Sequence, residues 1–245
     1  MEQDKLMTKP ATDTNYSTTQ QSHPLVDLLV SIILPSVVLM KLSGEEALGA
    51  TLALVVALSL PLSWGLFELI KYKKFNFIAL LGLVSVLLTG GIGLLKLDTQ
   101  WLAIKEAAIP AFIGIAVLIS TLTQSPLIKM LIYNPKVMDI DVIKQMLIER
   151  KNTKAFESRL LIATYMLGGT FFFSAVMNYI LAKWIVTSPS GSSAFNEELG
   201  QLTLYSYPMI AVPSMIMMML IFYFLWRSIN NMTGLKMNEI LRIKG

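Results

Sequence analysis

Two long apolar runs in the first half of the chain decide its fold class. Residues 47–70 read ALGATLALVVALSLPLSWGLFELI and residues 75–95 read FNFIALLGLVSVLLTGGIGLL, with only the basic link KYKK at 71–74 between them. A helix crosses the bilayer core, about 30 Å thick, with about 20 predominantly apolar residues. The two runs therefore predict a pair of membrane-spanning helices joined by a tight basic turn.

Four further apolar runs extend the pattern on both sides of this pair. We expect spans at 25–40, 107–122, 160–182 and 204–225, with the last two separated by a polar stretch at 187–201. Five prolines fall inside or at the ends of the runs, which membrane helices tolerate because neighbouring groups bond the freed carbonyls. The sequence predicts an all-α, polytopic membrane protein built as a six-helix transmembrane bundle.

The composition agrees with lipid as the main solvent of the chain. Of 245 residues, 54% are hydrophobic and 15% are charged, against about 25% charged in ordinary soluble domains. The net charge of +4 is too small for the basic field of a nucleic-acid-binding protein. The chain has no cysteine and one histidine, so we expect no metal site, no cofactor and no enzymatic activity.

The basic residues are distributed unevenly between alternate loops. If the N-terminus is cytoplasmic, 16 of the 20 Lys and Arg residues fall on the cytoplasmic side, and the outside holds only Lys41, Lys96, Lys105 and Lys183. Cytoplasmic loops carry the excess of Lys and Arg in membrane proteins. Both termini are therefore predicted to be inside.

This topology divides the chain into five regions. They are a polar disordered cytoplasmic tail (1–24), helices one to four (25–124), a basic cytoplasmic connection (125–158), helices five and six (159–228) and a basic cytoplasmic tail (229–245). In the connection, Ile140, Ile143, Met146 and Leu147 follow helical spacing. They indicate an amphipathic helix, either lying on the inner leaflet or forming a solvated linker.

The candidate functional residues are few, because no ionisable group lies near a predicted span centre. Thr89, Gly90 and Gly91 favour close helix packing, or a helix loosened where a ligand passes. Asn178 is a candidate for an interhelical hydrogen bond, and holding helices together is its simpler role. The remaining candidates, Glu68, Asp98, Lys105, Glu106 and Trp184, lie near predicted span ends.

The group Asp98, Lys105 and Glu106 is expected in the outer loop between the third and fourth spans, close enough to the interface for the side chains to reach water. An enzyme at this position would need the three side chains to converge on one cleft. A transporter would instead need a cavity at the membrane midplane, with the Thr89–Gly91 segment and Asn178 along it.

Several fragments together resemble one family. They are Ser63-Trp64, Lys71-Tyr-Lys-Lys74, Thr89-Gly-Gly91 leading to Leu97-Asp98, Trp101, Lys105, Pro126-Leu-Ile-Lys-Met-Leu131, and Asn178 followed by Trp184. In order and spacing they resemble the intracellular septation protein A family of inner-membrane-spanning proteins, over residues 25–229. The polar N-terminal tail, the Lys105-Glu106 step and the longer cytoplasmic connection depart from that pattern, which favours a sister family.

The resemblance implies a multi-pass protein of the bacterial inner membrane that supports cell-envelope maintenance or division. Its expected partners are membrane lipids and other inner-membrane envelope or division proteins. The first hypothesis is therefore a non-enzymatic protein that binds lipid or membrane partners. The alternative is a transporter or channel for a small or lipid-like molecule.

Overall fold

The computed structural model describes residues 29–72, 77–123 and 140–235, and these are helical apart from short connections. The first described element is a π-helical turn at Leu29–Ile33, which leads into α1 (Leu34–Leu42). The helices that follow are α2 (Gly49–Tyr72), α3 (Phe77–Leu94), α4 (Gln100–Ser120), α5 (Ile140–Glu149), α6 (Thr153–Ile185) and α7 (Ser193–Ser206). A second π-helical turn at Tyr207–Ala211 then leads into α8 (Val212–Thr233). The described ranges contain no strand, which confirms the predicted all-α class.

Four helical stretches of the described chain are long and apolar enough to cross a membrane. They are Gly49–Phe67, Gln100–Ser120, Thr153–Ile185 and Ser193–Thr233, and Leu81–Leu94 is a shorter apolar helix. Large apolar side chains on these helices point outward, with Leu87 58% exposed, Phe112 73% and Met215 64%. Such surfaces are typical of helices that face lipid, so the lengths and surfaces of these helices are those of a helical membrane protein.

Helix α4 begins earlier than the hydropathy of the sequence predicts. Its first residue is Gln100 rather than residue 107. The Asp98 carboxylate accepts the Gln100 amide N–H at 2.8 Å, and the Asp98 carbonyl accepts the Trp101 amide at 3.0 Å. These bonds start the helix ahead of the charged residues, so Lys105 and Glu106 lie within α4 rather than in a loop.

The polar stretch before the last apolar run also differs from the expected loop. Ser192 accepts the Phe195 amide at 3.1 Å and so caps α7. The Glu198 carboxylate accepts the backbone amides of Thr187 and Ser188 at 2.9 and 2.8 Å. Because these polar groups bond within the protein, a helix forms from Ser193 and continues through the second π-helical turn to Thr233.

Two clusters of buried apolar residues hold the helices together. The first joins α1, α2, α3, α4, α6, α7 and the second π-helical turn around Leu54, Leu102 and Phe195. The second joins α4, α5, α6 and α8 around Phe156 and Leu225.

The amphipathic helix α5 belongs to the second cluster. Its Ile143 and Leu147 are 1% and 2% exposed and pack with residues of α6 and α8. The side-chain amide of Asn152, just after α5, donates to the Met232 carbonyl at 2.9 Å. The apolar face of α5 is therefore buried against protein. A helix lying on lipid, or a free linker, would leave that face outside the protein core.

Candidate functional site

The most deeply buried charge in the described chain is Lys105, in the second turn of α4. Its ammonium donates to Glu106 Oε1 at 2.6 Å and to Thr89 Oγ1 of α3 at 2.7 Å. The side chain of Lys105 is 7% exposed and that of Glu106 is 28% exposed. A charge so removed from water is costly unless it is paired, so the two residues form one neutral unit.

Glu106 and Thr89 open onto a cavity of about 320 Å³ between α1, α2, α3, α4, α6 and α7, here called the interhelical cavity. Its lining residues are Ile32, Pro35, Ser36, Leu39, Ala57, Leu58, Pro61, Ser85, Val86, Thr89, Glu106, Asn178, Leu199, Leu202, Thr203, Ser206 and Tyr207. Several of them, such as Pro61 and Ser85, lie near the middle of their helices. The cavity therefore places a carboxylate, an amide and several hydroxyls among spanning helices.

Most polar groups along the interhelical cavity present acceptor atoms to it. The hydroxyls of Thr89, Thr203 and Ser206 each donate to a carbonyl four residues earlier, at 3.1, 2.9 and 2.7 Å. The Asn178 amide nitrogen donates to the carbonyl and hydroxyl of Ser174, at 2.8 and 3.4 Å. Since a carbonyl only accepts, these hydroxyl protons are already used, and oxygen lone pairs remain for a ligand.

Two further features of the cavity wall concern buried polar groups. The Ser36 hydroxyl is buried and has no hydrogen-bond partner among the described residues, and Ser36 as a whole is 1% exposed. Pro61 has no amide hydrogen to give to the carbonyl of Ala57, one turn earlier in the same wall. Buried polar groups normally have a partner, but Ser36 and Ala57 are 1% and 0% exposed, so a molecule in the cavity would reach these groups only after the wall moves.

A shallow surface depression of about 290 Å³ adjoins the interhelical cavity along the second π-helical turn. It shares Asn178, Ser206 and Tyr207 with the interhelical cavity and adds Ser214, whose buried hydroxyl also has no described partner. Pro208 lies inside this turn, and π-helical turns within α-helices are frequent at functional sites. Because the cavity and the depression share three lining residues, a molecule seated in the cavity would continue along this depression.

The structure brings together four of the residues that the sequence singled out. Lys105 is bonded to both Thr89 and Glu106, and Asn178 lines the same cavity as these last two. Asn178 bonds within its own helix, whereas the predicted role was a bond between helices.

The other candidates lie elsewhere. Gly90 is a packing residue, since a Cβ there would be 2.9 Å from Leu58 Cδ1, and Gly91 has open space around it. Asp98 starts α4 away from the cavity. Trp184 is 72% exposed near the end of α6, and the side chain of Glu68 lies outside the described residues.

Sequence reasoning missed two polar residues of this region. Asn196 is fully buried, and its amide donates to Ser43 Oγ at 3.1 Å and to the Ala50 carbonyl at 2.7 Å. It makes the interhelical bond that was expected of Asn178. Ser36 was missed as well, because a lone serine in an apolar run has no distinguishing pattern.

Comparisons of the chain with protein-family models, with curated proteins and with solved structures find no match.

Proposed function

We propose that the protein is a multi-pass protein of the bacterial inner membrane that binds a lipid or lipid-like molecule in the interhelical cavity. Through that binding it would support maintenance or division of the cell envelope, the role implied by its resemblance to the septation protein A family. The observation that carries the proposal is a cavity with a carboxylate and acceptor oxygens set among helices that are otherwise apolar.

The size and lining of the cavity support a bound molecule rather than a packing defect. Ligand sites in proteins usually enclose about 300–1,000 Å³, with a few placed polar groups among apolar side chains. The interhelical cavity, at about 320 Å³, has apolar walls such as Leu39 and Leu202 beside Glu106 and Asn178. An apolar wall beside polar groups suits an amphipathic molecule, which a membrane supplies in abundance.

Lipid retention by the purified protein tests this proposal directly. Ser85→Phe would place a ring in the interhelical cavity, whereas Ser59→Phe adds the same ring on the exposed side of α2. Native mass spectrometry of the protein in mild detergent should show bound lipid for the wild type and for S59F, and much less for S85F. Equal lipid retention by S85F and S59F, or none by the wild type, would contradict the proposal.

A cellular test addresses the envelope role separately. A strain lacking the protein should show altered envelope integrity, lipid content or division under osmotic and detergent stress, and S59F should complement it better than S85F. A deletion strain that behaves as the parent under both stresses would contradict the envelope role and would leave the proposal of lipid binding standing.

The membrane orientation is part of the same proposal. The excess of Lys and Arg in alternate segments supports six spans with both termini in the cytoplasm. A reporter that is active only in the periplasm should give signal when fused after Ser190 and none when fused after Lys151 or Gly245. The reverse pattern would overturn this orientation.

Transport of a small or lipid-like molecule is a second candidate, and one observation favours it. The second π-helical turn, with Pro208 inside it, borders both the interhelical cavity and the adjoining depression, and interrupted helices beside a binding site are common in transporters. Proteoliposomes carrying a fluorescent lipid in one leaflet distinguish the two functions. A transporter would speed its transfer between leaflets, whereas a binding protein would leave the rate of empty liposomes unchanged.

A further inference from the structure

The pairing of charges in the interhelical cavity limits which molecule it can accept. Lys105 and Glu106 compensate each other at 2.6 Å, so the unit they form carries no net charge. In an environment of low polarity an added single charge would lack a counter-charge, which is costly. A ligand with no net charge avoids that cost, and one that carries both signs can also match each member of the pair.

The lining oxygens decide which positive group fits best. Thr89, Asn178, Thr203 and Ser206 have already donated their hydrogens within the protein, and Glu106 adds a carboxylate. A primary ammonium offers three N–H donors to such acceptors, as lysine does. A quaternary ammonium offers none, and so leaves the acceptors unpaired.

From these two observations we propose that the cavity selects a zwitterionic headgroup containing a primary ammonium and a phosphate, the chemistry of an ethanolamine phospholipid. This inference rests on the proposed function and names the ligand class of the same site. The ammonium of the ligand takes the place of Lys105 at Glu106. Lys105 stays hydrogen-bonded to Thr89 and turns its freed donor to the phosphate, so every charge keeps a partner.

The Ser36 hydroxyl adds an independent reason for a polar occupant. It is buried without a described partner in the wall formed by α1. Unlike the hydroxyls that are bonded to their own helices, it has no bond to break, and a phosphate oxygen would be a suitable acceptor once the side chain rotates toward the cavity. The wall therefore provides acceptors for the ammonium, and rotation of Ser36 would add one donor for the phosphate.

Competition between lipids of matched acyl chains tests the selectivity. The purified protein is placed in nanodiscs of phosphatidylcholine that contain equal small fractions of phosphatidylethanolamine and phosphatidylglycerol, and the lipids that remain bound after release into detergent are counted by native mass spectrometry. We expect enrichment of the ethanolamine lipid by about tenfold or more over both others, the factor associated with one charge-assisted hydrogen bond. Equal retention of the three lipids, or preference for the anionic glycerol lipid, would overturn the proposal.

Variants locate the selectivity in the charge pair. The double variant Lys105→Met, Glu106→Gln removes both charges together, so the site stays neutral and the fold is expected to persist. It should lose the preference for the ethanolamine lipid. The matched double variant Lys183→Met, Glu197→Gln alters two exposed charges outside the cavity and should keep the preference. Unchanged selectivity in the K105M/E106Q protein would contradict the assignment.

An experiment with soluble phosphoethanolamine distinguishes the two possible sources of this headgroup, a membrane lipid and a free zwitterion. Thermal stabilisation of the wild type by the soluble compound, absent in K105M/E106Q, would assign the site to a free zwitterion, and selectivity among lipids alone would assign it to the membrane. A wild type that retains lipid in the S85F experiment but shows no headgroup preference refutes this inference and leaves the proposed function standing. A wild type that retains no lipid refutes both.

Discussion

Replacing Glu106 by glutamine removes the carboxylate that neutralises Lys105. The structure predicts that this change costs more stability than replacing Lys105 by methionine. In E106Q the ammonium, 7% exposed, keeps Thr89 as its partner among the described residues. Removing one member of a buried ion pair costs about 3–5 kcal/mol. Glu106 is 28% exposed, so the carboxylate left in Lys105→Met is partly screened by solvent, and we expect a smaller cost of about 1–2 kcal/mol.

The double variant K105M/E106Q completes the comparison. It leaves no uncompensated charge, and replacing a buried ion pair by neutral groups of similar volume is often close to neutral. The expected order of destabilisation is therefore E106Q first, K105M second and the double variant last. The two changes are strongly non-additive, as is usual for groups in direct contact.

Thermal unfolding in detergent, followed by the fluorescence of the four tryptophans, measures this order. At about 2–4 °C for each kcal/mol in a chain of this size, a loss of about 3 kcal/mol in E106Q lowers the melting temperature by about 6–12 °C. Glu197→Gln, at an exposed carboxylate of α7, should leave it unchanged. A double variant as unstable as the sum of the single variants would refute the neutral-unit interpretation.

Three further predictions concern the packing that surrounds the cavity. Asn196→Leu removes a buried amide that bonds α7 to α2 and should cost about 1–3 kcal/mol in the same unfolding assay. Gly200→Ala should destabilise by about 1–3 kcal/mol, because a Cβ there would lie 2.9 Å from a backbone oxygen of α1, whereas Gly169→Ala, with open space, should be neutral or stabilising. Leu147→Ser should make α5 more sensitive to limited proteolysis, and Ile148→Ser, at an exposed neighbour on the same helix, should not. Equal effects within either matched pair would contradict the packing described.

The fold class could be predicted from the sequence because it depends on average polarity over some 20 residues. The runs at 47–70 and 75–95 correspond to α2 and α3, with ends displaced by a few residues. The first residues of helices were harder to predict from the sequence, since they depend on single hydrogen bonds. The Asp98 carboxylate and the Ser192 hydroxyl begin α4 and α7 in stretches that hydropathy alone assigns to loops.

The candidate site was predictable in its members but not in its arrangement. Lys105 and Glu106 stood out as charges next to an apolar run, and the sequence placed them at an interface. The second partner of the Lys105 ammonium is Thr89, 16 residues earlier and on another helix. Asn178 and Asn196 show the same limit. Both are asparagines on helices, and only tertiary packing decides that the first faces a cavity and the second bonds two helices.

The measurement that tests the central claim most directly is a density map of the full chain in a native lipid membrane. We expect density for a non-protein molecule in the interhelical cavity, with a polar end in contact with Glu106 and with Lys105 still beside Thr89. A cavity closed by the surrounding helices, with Lys105 and Glu106 extended to the water interface, would contradict the claim that this charge pair holds a ligand within the membrane.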